Sequence, residues 1–264
     1  MKIANKYNHL NAYEYLIVNR DAEYDDIIKC INSIDANRFL KASCTKTSIG
    51  KVLYDQKKIN AEFNRILNAR GWKQKIVDYF VTTDEDTNRK IVFENEKDRQ
   101  KNIIRNAGFE PLKTSNQVDF QKNEVAIEVQ FGKYTFVAYD LHVKHTFFYA
   151  RNEINVGIEI IPTQAMCSHM DAGVSWFENE VTNVMREGRT NPPVPIFIIG
   201  IEPDTIASSS AMDYPDNDYV KILQNSDISK MKTKINDILA SGTVRADKKV
   251  IIEKIERCIK MLEA

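Results

Sequence analysis

The chain has 264 residues, 43% of them hydrophobic and 28% charged, which fits one large soluble domain, or a domain with an appendage, and excludes a fibrous or disordered protein. No apolar run reaches the length of about 18 residues that marks a membrane span, and no basic segment followed by an apolar one opens the chain, so no membrane partner and a cytoplasmic location are expected. Basic and acidic residues balance at 37 each, which excludes a generally basic nucleic-acid coat but leaves room for a locally basic cleft.

The first periodic stretch is Tyr13 to Val18, read as a strand or as the end of a helix leading into one. Tyr24 to Asp35 carries Ile27, Ile28, Ile31 and Ile34 at helical spacing. Residues 41–58 mix small hydroxyls with lysines, Lys46 and Ser48 among them, around Gly50. That mixture suits phosphate contacts, and a solvated loop reads as well. Ile59 to Ala69 is a helix stopped by Gly71, and Trp72 to Thr82 is a strand. Asp84 to Asn88 is turn-like, and Glu94 to Ala107 is a charged helix ended before Pro111. Thr135 to Tyr149 has the length and spacing of a buried helix. Asn155 to Ile161 alternates as a strand, Gln164 to Ser175 is a small-residue loop, Trp176 to Arg186 is a helix, and Ile196 to Ile201 is a buried strand. Strands alternating with helices predict an α/β fold with a central mixed sheet flanked by helices. Beyond residue 203 the composition becomes linker-like. Two helices, Tyr219 to Ala240 and Lys248 to Leu262, then flank Ser241-Gly242 as a hairpin packed on the core or as a dimer contact. Residues 1–203 are therefore taken as the main domain and 204–264 as a helical C-terminal extension. Cys30, Cys44, Cys167 and Cys258 lack any Cys-x-x-Cys spacing and read as free thiols. His142 and His145 have no third ligand near them in sequence and read as ordinary surface or satisfied histidines.

The chemistry concentrates between Asn116 and Phe131. From Glu124 the sequence alternates strictly, with Val125, Ile127, Val129 and Phe131 on one face and Glu124, Ala126, Glu128 and Gln130 on the other. Gln121-Lys122-Asn123 is a candidate turn. If Asp119 lies across that turn, it meets Glu128 and Gln130. Converging carboxylates repel each other unless a cation sits between them, and hard oxygen ligands suit Mg²⁺. On spacing alone, the commoner reading is a half-exposed strand of an ordinary sheet.

Asp119, eight intervening residues, and then Glu128-x-Gln130 resembles the PD-(D/E)xK nuclease core in the variant where Gln replaces Lys, that of the BglII/BstYI-type restriction endonucleases. The similarity extends to Val125 to Tyr134, Phe136 to Leu141, Val143-Lys-His145, Val156 to Ile160 and the N-terminal His9-Leu-Asn11, and covers roughly residues 1–203. It implies a PD-(D/E)xK restriction-endonuclease-like core and a homodimer cutting double-stranded DNA at a GATC-centred palindrome with 5′ overhangs. A cognate DNA methyltransferase would protect the host site.

Within that resemblance, Asp119 and the Val129 carbonyl, at a sheet edge facing the cleft, are expected to ligate Mg²⁺. Glu128 would hold the metal or a water on it, and Gln130 would orient the attacking water. Lys133 leaves the strand at the Gly132 break, where it could bind a phosphate or read a guanine edge; a lone surface lysine is the alternative. The loop Asp171-Ala172-Gly173 is expected to enter the major groove, and Asp171 could accept from a cytosine amino group. Ser175 would join it or cap the next helix. Two other readings stay open: a sequence-tolerant repair or recombination nuclease on the same core, and an inactive DNA-binding protein.

Overall fold

The computed structural model describes residues 1–241 and 244–264, so Gly242 of the proposed interhelical turn lies outside the described residues. Eight strands occur among the described residues: β1 (Lys2–His9), β2 (Leu40–Ala42), β3 (Val52–Tyr54), β4 (Lys73–Val81), β5 (Leu112–Lys122), β6 (Val125–Val129), β7 (Val156–Pro162) and β8 (Ile196–Glu202). Six of them form one sheet in the order β1-β8-β7-β6-β5-β4, and β2 and β3 form a separate ribbon. The pairs β6–β7 and β7–β8 are parallel and the others antiparallel, so the sheet is mixed, as the alternating elements predict.

Covering on both faces makes β6 and β7 buried at every position, and for β7 it explains the near-continuous apolar run. One face packs on a large core that includes Val125, Ile127, Ile158 and Phe197. On the other face Ala126 meets Phe148 and Ile154, while Ile161, Ile196 and Ile198 meet Val137, Leu141 and Phe177.

Several elements differ from the sequence reading, and three of them have a plain local reason. The segment Ala12–Asn19 is a helix, and the N-terminal strand is β1 instead. Most of β1 is polar because it is an edge strand whose side chains stay in water, so it carries no alternation to detect. Glu85–Ile91 is a helix and not a turn; the Asp84 carboxylate caps it by accepting from the Thr87 backbone N–H and hydroxyl. The expected helix 219–240 is two, Asp216–Gln224 and Ile228–Ala240, with Asp227 capping the second through the Lys230 N–H. No helix among the described residues is long and apolar enough to cross a membrane.

Candidate active site

The β5–β6 hairpin sets the register of the site. Its two central residues, Asn123 and Glu124, both have left-handed backbones (φ 44° and 64°), so Glu124 belongs to the turn rather than to the strand. Asn tolerates this conformation. Glu is disfavoured there by roughly 1–2 kcal/mol, and its neighbours hold it: the carboxylate accepts from Arg20 at 2.5 Å and Asn155 at 2.8 Å, and the Asn155 N–H donates to its carbonyl at 2.8 Å.

Pairing from the turn runs only as far as Phe120 opposite Ile127. Beyond that point the strands splay, and the half-buried Asp119 side chain fills the place of a backbone partner by accepting from the Val129 N–H at 3.3 Å. The N–H and C=O of one strand residue point to the same side, so the Val129 carbonyl faces Asp119 as well. This corrects the expectation of a sheet edge: β6 lies inside the sheet between β5 and β7, and the opening at Val129 comes from the splay.

Glu128 points to the opposite face from the main core and is almost wholly buried. It meets the helical segment 134–150, which is not a uniform α-helix. Asp140–Lys144 forms a π-turn, with the His145 N–H donating to the Asp140 carbonyl five residues back. This turn brings two residues to the site that the sequence reading did not assign. Lys144 lies 3.2 Å from a Glu128 oxygen and 2.7 Å from an Asp140 oxygen. Asp140 also accepts from the Gln130 amide nitrogen at 3.0 Å, and the Gln130 amide oxygen accepts from the Gly132 N–H at 2.7 Å. An acid–base pair at i, i+4 just after the Glu-x-Gln strand was the available signal; the π-turn that aims it was not readable.

Two carboxylates therefore hold one ammonium, and Asp119 is near enough to act on both of them. Burial, then Asp119 and Asp140, push the Glu128 carboxyl up to about 9, and Lys144 only partly opposes this. Burial also raises Asp140. Burial works against the charge of Lys144, but Glu128 and Asp140 outweigh it and hold the ammonium protonated. The surplus of carboxylate over cationic charge suits a divalent ion. Among the described residues no three His, Cys, Asp or Glu side chains form a metal cage of their own, and a backbone oxygen beside Asp119 and Glu128 would complete a ligand set. The two histidines are split between partners, His142 beside Glu187 at 3.1 Å and His145 wholly buried beside Glu159 at 3.5 Å.

The other singled-out residues gather next to this site. Lys133 is exposed and forms an isolated bridge with Val174, and the Tyr134 N–H donates to the Gly173 carbonyl. Ser48, Asp171, Ala172 and Gly173 line one cavity of about 680 Å³, which Tyr134, at the start of the helical segment that follows β6, also lines. The Asp171 carboxylate is paired with Lys41 at 2.8 Å. Lys46 is exposed on the same loop as Ser48 but does not line the cavity. Ser175 is the exception. It is fully buried and donates to the Glu180 carboxylate, so it anchors the loop from below and offers nothing to a groove.

A family model described as restriction endonuclease BglII/BglIII matches residues 4–201. The chain belongs to this family. It is a type II site-specific deoxyribonuclease. Two solved structures are similar in fold. BglII complexed with a DNA 16-mer aligns with a TM-score of 0.53 at 18% identity, covering 78% of this chain and 79% of that one. Free BglII aligns with a TM-score of 0.50 at 18% identity, covering 78% and 82%. No curated protein sequence matches the chain.

Proposed function

We propose that the chain is a Mg²⁺-dependent restriction endonuclease that hydrolyses both strands of a short, GATC-centred palindrome and leaves 5′ overhangs. The convergence of Asp119, Glu128 and the Val129 peptide at the β5–β6 splay carries this reading. Asp119, Glu128 and the Val129 carbonyl are the proposed metal ligands. A divalent cation bound there offsets charge on the scissile phosphate and lowers the pKa of water.

The protein's own groups supply the rest. Gln130 is tied at both ends, to Asp140 and Gly132, which leaves one amide N–H to hold the attacking water in line. A neutral amide brings no charge to the pentavalent transition state. Lys144 supplies that charge from the helix, fixed in place by Glu128 and Asp140. Lys133, Ser48 and the Asp171-Ala172-Gly173 loop are the proposed DNA contacts, with Lys46 reaching a phosphate outside the cavity. Asp171 is free to read a base only once it exchanges Lys41 for that base.

A palindrome calls for a two-fold dimer. Phe136, Tyr139 and Val143, exposed along the helical segment next to the site, are an apolar stripe fit to be buried by a second copy. The catalytic and DNA-binding machinery is assigned to residues 1–203 and the appended helices to 204–264, and a matching DNA methyltransferase would protect the host site.

The test is digestion of mixed-sequence DNA with Mg²⁺ and with EDTA, followed by sequencing of fragment ends. Discrete fragments sharing a GATC-centred end, formed only with metal, are expected. A smear would replace this reading with the sequence-tolerant nuclease, and no cleavage with any divalent metal would replace it with a binding protein.

A further inference from the structure

The match to the family ends at residue 201, yet the helices beyond it pack on the loop that forms one wall of the proposed DNA cavity. That loop, residues 43–51, is carried by the ribbon β2–β3, whose strands have three residues each. A two-stranded ribbon so short is marginal by itself. It is held from both sides. On the cavity side, Tyr54 N–H donates to the His169 carbonyl at 2.8 Å, and Lys51 reaches the Ser168 carbonyl at 3.3 Å.

The other side is held by residues 209–255. The Ala42 N–H donates to the Ser226 hydroxyl at 2.7 Å, and the Asn225 amide donates to the Leu40 carbonyl at 2.8 Å. The Val52 N–H donates to the Ser209 carbonyl at 2.9 Å. Tyr219, fully buried, donates its hydroxyl to the Gly50 carbonyl at 2.9 Å, and the Lys248 ammonium donates to the Lys46 carbonyl at 2.6 Å. Gly50 shows how close the contact is. Its φ is +77°, and a Cβ there would stand 2.7 Å from Ile255 and 2.9 Å from Ile251. The glycine is required both by its backbone and by the helix pressed against it.

We propose that the C-terminal helices are a positioning brace for the recognition loop, with Tyr219, Ser226 and Lys248 fixing the wall from which Ser48 meets DNA. This rests on the cavity being the DNA-reading site. The brace sets specificity without touching DNA. Loosening it lets the loop adapt to wrong bases, while the carboxylate cluster, on other elements, keeps its rate.

The test has two arms, using the full-length triple variant Tyr219→Phe, Ser226→Ala, Lys248→Ala and the single variant Ser226→Ala. The first is amide hydrogen exchange without DNA. Exchange across residues 43–52 is expected to quicken roughly tenfold or more in the triple variant, with β7 unchanged. Unchanged exchange there overturns the brace whatever the protein's activity. The second is cleavage at the site mapped for the unaltered protein and at sites differing by one base pair. The ratio of kcat/KM between them is expected to fall at least tenfold, through KM, with kcat at saturating DNA within twofold. If the triple variant unfolds, Ser226→Ala alone decides, with a smaller change in the same direction. Faster loop exchange with unchanged discrimination overturns the role in recognition. An unaltered protein that cuts without sequence preference overturns the restriction reading, and the exchange arm then judges the brace by itself.

Discussion

Replacing Lys144 by Met tests the assignment of the helix lysine most directly. The ammonium lies 3.2 Å from Glu128 and 2.7 Å from Asp140, both almost wholly buried. At an effective dielectric of about 20, the 2.7 Å ion pair with Asp140 is worth roughly 6 kcal/mol before desolvation, and the raised Glu128 carboxyl meets the ammonium mainly as a hydrogen-bond partner. Removing one partner of a buried pair costs a net of about 3–5 kcal/mol, because the remaining charge is left uncompensated. Without metal, Lys144→Met is therefore expected to lose about that much stability in urea unfolding at pH 8. The Glu128 carboxyl is already raised, to about 9, so its folded form holds a proton that the unfolded chain releases above its ordinary value of 4.5. Stability then falls as pH rises across that window. Loss of Lys144 raises the folded value further, so the deficit of the variant should hold level between about pH 5 and 8, where both folded forms keep the Glu128 proton, and grow above about pH 9, where only the unaltered protein releases it. Added Mg²⁺ should recover part of it at pH 8, and cleavage with Mg²⁺ should fall by roughly a hundredfold to a thousandfold. A variant within about 1 kcal/mol of the unaltered protein in EDTA, or a deficit that does not grow above about pH 9, would refute the account.

Asp119→Ala and Glu128→Ala are each expected to lower cleavage by roughly a thousandfold or more while binding to the mapped site in a filter or mobility assay changes little; cleavage kept in either variant removes that residue from the site. Glu159→Gln probes the buried His145–Glu159 pair, where burial raises the carboxyl well above 4.5 and pushes the imidazole down to about 3. Its stability relative to the unaltered protein should increase by about 1.4 kcal/mol per pH unit above the ordinary Glu value, and parallel pH curves would show an ion pair instead. Gly157→Ala would put a Cβ 2.5 Å from the His145 ring, which has no room to retreat, and calorimetry should show a loss of about 1–3 kcal/mol together with reduced cleavage as the neighbouring Lys144 shifts. Asp171→Ala releases Lys41 and is expected to relax the choice of base at one symmetric pair of positions in end-sequencing, an unchanged cut site being the contrary result.

What could be read from the sequence followed from how strongly each element is patterned. β6, β7 and β8 are buried and apolar, and their periodicity located them. β1 escaped because an edge strand rich in Lys and Asn gives no alternation. Asp119, Glu128 and Gln130 can be singled out together because a hairpin converts sequence spacing into spatial register, and a turn displaced by about one residue still leaves Asp119 beside the strand that carries the other two. Ser175 reads as a groove or cap residue because a loop serine facing Glu180 is indistinguishable in sequence from one facing solvent. The link from Tyr219 to Gly50 spans 169 positions and involves a backbone carbonyl, which no local pattern encodes.

The substitution of Gln for Lys on the site strand acquires a physical reason in this arrangement. A lysine at position 130 would place its ammonium beside Asp140, where the Gln130 amide now bonds, and would compete with Lys144 for the same carboxylate. Two ammonium groups on one buried carboxylate repel each other, and one would be driven to lose its proton. With Lys144 delivered by the π-turn, the strand position is better filled by a neutral group that can both donate and accept. Gln does this, donating to Asp140 and accepting from Gly132 at the point where the strand ends. On the proposed mechanism, charge and water positioning are divided between a helix and a strand. The π-turn makes that division possible, because it aims Asp140 and Lys144 together at the face of Glu128.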